Sequence, residues 1–132
     1  MDFPIQSEGL LQASYEKGLY RIALDVDPGI AEVARALLPK YIRAQKPKYA
    51  PHMSVVRQEE PLPLGWTRFQ GETVNFMYST EVFFDETYYW LAAESPRLRA
   101  IRIELGLEEL GWCCRPPDQA DWFHITFANR KG

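Results

Sequence analysis

The sequence is poor in cysteine, in long apolar runs and in excess basic charge. Its two cysteines, Cys113 and Cys114, are adjacent, a spacing that rarely forms a disulfide and does not by itself build a metal site. No apolar run approaches the ~20 residues of a membrane span, and residues 1–4 lack the features of a signal peptide. We therefore expect a cytoplasmic protein with reduced cysteines and no membrane partner.

The charge balance restricts the class of partner. The formal net charge is −3 at pH 7 and the pI is about 5.4. A protein that coats a nucleic-acid duplex needs a basic face to displace counterions, so we expect no duplex DNA partner. A small anionic ligand held in a local pocket remains compatible with this charge.

Length and composition predict one globular domain that spans residues 1–132. The 132 residues are 46% hydrophobic and 25% charged, which is enough apolar material for a real core but too short for a second domain. Residues 1–17 are polar and mixed. We expect them to lie loosely over the fold or to form a short helix around residues 10–16.

Two strand-to-helix transitions are visible in the sequence. Leu19 to Val26 is rich in strand formers and leads into Asp27-Pro28, an N-cap followed by proline at the first helical position. A second helix opens at Ser95-Pro96 and runs through Leu105, with Gly106 past its end. The first helix carries an apolar stripe typical of packing on a sheet, formed by Ile30, Val33, Ala34, Leu37 and Leu38.

The remaining strand signals complete an α+β order of elements. Runs of β-branched and aromatic residues predict strands at 52–57, 66–69, 73–79, 80–85, 88–93 and 122–128. Each helix is followed by a loop and then by a histidine-bearing strand, so the halves resemble related units. We expect a two-lobed fold with antiparallel-rich sheets around a central cleft and flanking helices, and a core role for the aromatics between Trp66 and Trp90.

Both histidines of the chain lie in the same four-residue pattern, His52-Met53-Ser54-Val55 and His124-Ile125-Thr126-Phe127. Residues two apart on a strand share a face, so each imidazole should lie beside a hydroxyl, with an apolar pair on the opposite face. Ser and Thr are scarce enough that a hydroxyl two places after both histidines is a coincidence of under about 1%. The two patterns therefore predict one site.

Two histidines that face one cleft can divide acid and base work near neutral pH. One of His52 and His124 would deprotonate an attacking hydroxyl while the other protonates the leaving oxygen. Ser54 and Thr126 would hold the non-bridging phosphate oxygens and stabilise the charge that grows in a pentavalent transition state. This chemistry requires no metal and no cofactor.

Three other roles for these residues stay open. A metal site normally has three or more His, Cys or carboxylate ligands, and two histidines with two hydroxyls make a poor set. Ser-His nucleophilic catalysis lacks a G-x-S-x-G elbow, and a Ser two places from its own His points parallel to it. Both histidines could also be satisfied structural residues, because His is commonly part-buried.

The pair of motifs resembles that of the 2H phosphoesterase superfamily, which includes the LigT-like RNA cyclic phosphodiesterases. The family signature is a pair of His-hydrophobic-Ser/Thr-hydrophobic motifs, and the eight motif residues of this chain match both copies, with Ser54 where Thr is common. The opening Lys17-Gly18-Leu19-Tyr20 is similar to that of the compact phage anti-CBASS nucleases, which degrade cyclic-oligonucleotide immune signals.

The resemblance implies a bilobal fold and a metal-independent phosphodiesterase. It implies that His52 and His124 are the acid/base pair and that Ser54 and Thr126 bind the phosphate. The leading substrate is a cyclic oligonucleotide signal. An RNA 2′,3′-cyclic phosphate or a 2′–5′ linkage is the alternative, and a non-catalytic nucleotide-binding module or an interaction protein is the alternative of another class.

Further substrate-binding candidates are aromatic and basic residues near the motifs. Tyr20, Tyr49 and Trp122 could stack on a nucleobase or pack in the core, and the resemblance favours Tyr20 because the first strand of that fold lines the cleft. Several basic residues could gather phosphate charge or form a solvated basic edge. These are Lys46 and Lys48 before the first motif and Arg130 and Lys131 after the second.

Overall fold

The structure, a computed structural model, describes residues 2–111 and 122–130. In these residues the chain is α+β, as the order of sequence signals predicted. Its elements are β1 (Ile5–Glu16), β2 (Leu19–Asp25), α1 (Pro28–Leu37), β3 (Ala44–Gln45), β4 (His52–Arg57), β5 (Thr73–Phe84), β6 (Tyr88–Glu94), α2 (Pro96–Glu104) and β7 (Phe123–Arg130).

The seven strands of the described residues form a single antiparallel sheet in the order β3-β7-β6-β5-β1-β2-β4. β4 is an edge strand and β7 lies next to the opposite edge, yet the two strands are in contact. The sheet therefore curls into a half-barrel. In the residues described, this curled antiparallel sheet and the two helices make up the α+β fold.

The N-terminal segment is part of the sheet, so the prediction of a loose segment or a short helix is wrong. β1 lies in the middle of the sheet and pairs with β2 on one side and β5 on the other. A Cβ at Gly9 would clash with the carbonyl oxygen of Asp25 and the side chain of Leu24, so glycine permits this close approach of strands. The backbone hydrogen bonds to β2 and β5 stabilise a strand here despite the polar composition of the segment.

Both helix starts are confirmed by their caps. Asp27 Oδ1 accepts a hydrogen bond from the backbone N–H of Gly29 at 2.8 Å, and Ser95 Oγ accepts one from that of Leu98 at 3.2 Å. The predicted stripe of α1 is only partly right. Its buried residues are Ile30, Ala31 and Ala34, whereas Val33 is 60% and Leu37 is 74% exposed, because α1 meets the sheet along a narrow strip.

Two predicted strand assignments differ from the structure. Residues 66–69 lie in consecutive turns rather than a strand, with backbone hydrogen bonds from Arg68 to Gly65 and from Gln70 to Thr67. The two strands predicted between residues 73 and 85 are one strand, β5, whose pairing with β6 shifts between Tyr78 and Val82. The shift bends the strand, and the sequence break at residue 79 marks that bend rather than a turn.

The core lies between one face of the sheet and the two helices. Leu98 and Ile101 of α2, and Leu105 just past its end, are fully buried in the core. Arg102 is equally buried on the same helix. None of the helices in the described residues is long and apolar enough to cross a membrane.

Candidate active site

Each motif alternates between the core and the opposite face of its strand, as predicted. On β4, Met53 and Val55 are fully buried, whereas His52 and Ser54 are half-buried. The second motif repeats this pattern on β7, where residues 125 and 127 are fully buried and residues 124 and 126 are half-buried. The apolar pairs therefore anchor both motif strands in the core.

The sheet register shows which face carries the first motif. Residues directly opposite each other on paired strands point to the same face. His52 is opposite Asp25 of β2, Asp25 is also opposite Leu10 of β1, and Leu10 is also opposite Thr73 of β5. The imidazole of His52 thus shares a face with Thr73 in the middle of the sheet.

The second motif reaches the same face through β6. His124 is opposite Ala92, and Glu94, two residues along β6, is opposite Met77 of β5. Met77 and Thr73 are four residues apart on one strand and so share a face. Both motifs therefore project from one face of one sheet, on two strands that the curl brings into contact.

The ring of His52 is oriented by the backbone. Its Nδ1 lies 2.9 Å from the carbonyl oxygen of Ala50. A carbonyl oxygen only accepts hydrogen bonds, so Nδ1 carries the proton and donates it. This tautomer makes Nε2 the ring nitrogen that exchanges a proton with a substrate.

The ring of His124 rests against aromatic side chains. Trp90 meets it edge to face, with ring centroids 5.8 Å apart. Trp90 is itself buried and stacks on Phe83 at 4.4 Å with 13° between the ring planes. Trp90 is opposite Thr126, so it is buried on the motif face rather than in the core cluster and forms a wall beside the second motif.

Both motifs end in a β-bulge. Along the pairing of β2 with β4, Ala23 is opposite Ser54 and Ile22 is opposite Val56, so Val55 is the extra residue. The pairing of β6 with β7 skips Phe127 in the same way, because Thr126 and Ala128 oppose neighbouring residues of β6. The bulged residue is therefore the fourth residue of each motif.

An arginine from a helix holds the carbonyl of each bulge. Arg102 of α2 donates from Nη1 to the carbonyl oxygen of Val55 at 2.6 Å, and Arg35 of α1 donates from Nη1 to that of Phe127 at 2.8 Å. Arg102 also forms a two-point ion pair with Glu59, at 2.8 and 2.9 Å. Neither arginine was identified from the sequence.

A small cavity lies beside the hydroxyl residue of the second motif. Its volume is about 120 Å³, and Thr126 lines it, whereas His52, Ser54 and His124 do not. Lys46 and Tyr49 line it with Thr126, as their position before the first motif suggested. The other lining residues are Pro28, Ala31, Glu32, Arg35, Pro47, Ala50 and Pro51.

Two other predicted residues contact aromatic rings. The ammonium of Lys48 lies over the ring of Tyr49, 5.5 Å from its centroid, so it covers one face of this ring. Trp122 meets Phe3 edge to face at 6.1 Å, just before β7. Lys48 does not line the cavity but contacts Tyr49, which does. Trp122 packs against Phe3 of the N-terminal segment.

Tyr20 and Arg130 do not share the face of the motifs, so the structure does not bring them together with the four motif residues. On β2, Tyr20 points to the core face and Arg21 to the motif face. The ring centroids of Tyr20 and Trp66 are 5.0 Å apart. Asn129 is opposite Tyr88 on the motif face, so the next residue, Arg130, points to the other face of the sheet. The extra residue Phe127 moves Arg130 to the face opposite His124. Tyr20 lies on β2, because β1 and not β2 is the first strand of the chain.

The arginines that hold the bulges had a weak sequence signal. Arg35 is four residues after Ala31, and Arg102 is four after Leu98, so each extends the buried stripe of its helix. A cation in an apolar stripe indicates a buried partner. Part of the partner set is a backbone carbonyl, Phe127 for Arg35 and Val55 for Arg102, and the residue type does not encode such a partner.

Cys113, Cys114 and Lys131 lie outside the described residues. Within residues 2–111 and 122–130, no three His, Cys, Asp or Glu side chains cluster in a way that could hold a metal ion.

Comparisons of the chain with protein-family models, with curated proteins and with solved structures find no match. The function is therefore inferred from the residues of the site themselves.

Proposed function

We propose that this protein is a metal-independent phosphodiesterase of the 2H type that cleaves phosphodiester bonds in cyclic-oligonucleotide signals. The observation that carries the proposal is the shared face of the two motifs: His52 with Ser54 and His124 with Thr126 project from one side of one sheet, on strands in contact. A single phosphate between the strands would meet two imidazoles and two hydroxyls. The bilobal 2H fold is part of the same proposal.

The division of labour follows from the chemistry of the two imidazoles. One imidazole takes the proton of the attacking hydroxyl as the new P–O bond forms, and the other gives a proton to the leaving oxygen as the old P–O bond breaks. The Ala50 carbonyl keeps the Nδ1 proton of His52 in place, so His52 acts through Nε2. After the reaction, proton exchange with solvent returns both imidazoles to their starting protonation states.

The hydroxyls and the nearby cation complete the phosphate site. Ser54 and Thr126 donate to the non-bridging oxygens, which gain charge in the transition state. Lys46 lines the cavity beside Thr126 and supplies a positive charge at its rim. In this proposal the phosphate lies between the two motif strands, next to this cavity at Thr126.

The substrate class is tested with a panel of nucleotides. Purified protein is incubated with cyclic di- and trinucleotides, 2′,3′-cyclic mononucleotides and 2′–5′ dinucleotides, and the products are identified by mass spectrometry. We expect linear oligonucleotides from the cyclic substrates, and none from the His52→Ala variant. Turnover of only the 2′,3′-cyclic or 2′–5′ substrates would move the proposal to an RNA end. Nucleotide binding without turnover of any substrate would overturn it in favour of a binding module.

A further inference from the structure

The two bulges form a repeated arrangement that the motifs alone do not require. In each motif the residue after the hydroxyl is the extra residue of a bulge, and its carbonyl accepts a hydrogen bond from an arginine of a helix. An extra residue on one strand has no opposite partner, and bulges next to active sites serve to re-aim side chains. The repetition at both motifs indicates a common role.

Each helix holds the motif of the other half of the chain. α1 follows β2, the partner strand of the first motif, but its Arg35 bonds to the second motif at Phe127. α2 follows β6, the partner strand of the second motif, but its Arg102 bonds to the first motif at Val55. Each half thus depends on the other for the shape of its own motif.

The sheet leaves both carbonyls at a margin where a helix can reach them. β4 is an edge strand, and the short β3 pairs with β7 only at Asn129 and Arg130 in the residues described. A guanidinium has five N–H donors in a fixed plane, so it can hold one carbonyl and keep its own orientation through other contacts. Arg102 does so with Glu59 and with the carbonyl oxygen of Glu108.

We infer that Arg35 and Arg102 are positioning residues. Arg35 fixes the bulge that aims Thr126 and His124, and Arg102 fixes the bulge that aims Ser54 and His52. Each acts through a backbone carbonyl. Arg35 also lines the cavity beside Thr126, so the kinetic test below separates positioning from contact with the phosphate. The kinetic part of this inference rests on the proposed function, whereas its structural part concerns the motifs alone.

The structural part is tested by NMR of the imidazoles. The chain has only two histidines, so the spectra of His52→Gln and His124→Gln assign both rings. We expect Arg35→Gln to move the ¹⁵N and ¹H signals of His124 and leave those of His52 in place, with Arg35→Lys restoring them in part. Lys17→Gln, at the far end of β2 from His52, removes the same charge and should move neither ring.

The Arg102 arm uses a variant that keeps the protein folded. Removing Arg102 alone leaves the Glu59 carboxylate without its buried partner, so the double variant Arg102→Met/Glu59→Leu replaces the ion pair with apolar side chains, a change that folded proteins often tolerate. We expect it to move the signals of His52 and not those of His124. Equal movement of both rings in both variants, or of neither, would overturn the positioning role.

Kinetics separate positioning from direct contact with substrate. A misplacement of about 1 Å can cost about 10²-fold in rate, so we expect Arg35→Gln to lower kcat by up to about that factor while KM changes less than about threefold. A raised KM with unchanged kcat would show that Arg35 binds the phosphate directly and overturn the inference. Selective NMR shifts in a protein that cleaves no nucleotide would retain the inference and reject the proposed function.

Discussion

The Nδ1 atom of His52 donates a hydrogen bond to the carbonyl oxygen of Ala50 at 2.9 Å, two residues earlier in the chain. This bond fixes the tautomer of the neutral ring and leaves Nε2 for chemistry. The ring of His124 contacts that of Trp90 in a T-shaped arrangement, with centroids 5.8 Å apart. The two imidazoles thus have unlike surroundings, which suits unlike roles in acid/base catalysis.

If the two histidines have different roles, the variants that lack them should respond differently to a better leaving group. If one histidine is the acid, a p-nitrophenyl phosphodiester, whose leaving oxygen needs no proton, should rescue the variant that lacks the acid far more than the variant that lacks the base. The measurement is kcat/KM of His52→Ala and His124→Ala on this substrate and on a natural one. Equal rescue of both variants would exclude the division of labour.

Lys46 should contribute to substrate binding through its charge. It lines the cavity beside Thr126 and its side chain is exposed, so we expect Lys46→Gln to raise KM about three- to tenfold, with the effect shrinking at high salt. Lys40→Gln removes the same charge at an exposed position that does not line the cavity and serves as the control. A similar KM for the two variants would mean that Lys46 is only part of a solvated basic edge.

The buried ion pair should matter for stability. Arg102 is fully buried and Glu59 is its carboxylate partner at 2.8 Å. Glu59→Gln removes the carboxylate charge that pairs with this buried guanidinium, so we expect the free energy of unfolding to fall by about 3 kcal/mol in a denaturant titration. Glu60→Gln, at the exposed neighbouring position, should change it by less than about 0.5 kcal/mol. A loss as small as that of the control would contradict a stabilising role.

The ion pair between Arg97 and Glu72 is partly exposed, so its contribution to the free energy of unfolding should be small and should depend on pH. The hydrogen bond and charge of Arg97 lower the pKa of Glu72 below its usual 4.5. A lowered pKa means that the folded state favours the carboxylate, so this stability is present above the usual pKa and is lost as pH falls through the lowered one. Glu72→Gln should cost less than about 1 kcal/mol at neutral pH, and the cost should be smaller at about pH 3 because more of the carboxylate is then protonated. Equal costs at both pH values would contradict the assigned cause.

The sequence predicted the local parts of the site. The alternation of buried and half-buried residues in both motifs, and the caps at Asp27 and Ser95, follow from strand period and side-chain chemistry within a few residues. Lys46 and Tyr49 were found because they precede the first motif in the chain. These features depend on neighbours in sequence, which a single chain displays.

The parts that the sequence did not predict depend on distant neighbours. β1 carries exposed polar residues such as Gln6 and Glu8, and becomes a strand because β5 pairs with it across more than sixty residues. The bulges at Val55 and Phe127 are set by the register of facing strands and leave no mark in composition. Tyr20 was misplaced for the same reason, because its face depends on the position of β2 in the sheet.

The most direct test of the central claim is the turnover of a cyclic dinucleotide after exhaustive chelation with EDTA. The two-histidine mechanism predicts that the wild type keeps its activity, whereas His52→Ala and His124→Ala each lose about 10²- to 10⁴-fold in kcat/KM with the fold intact by circular dichroism. Lys17→Gln should match the wild type. Activity that disappears with EDTA and returns with a divalent ion, or a histidine variant with full activity, would contradict the claim that both motifs act on one phosphate.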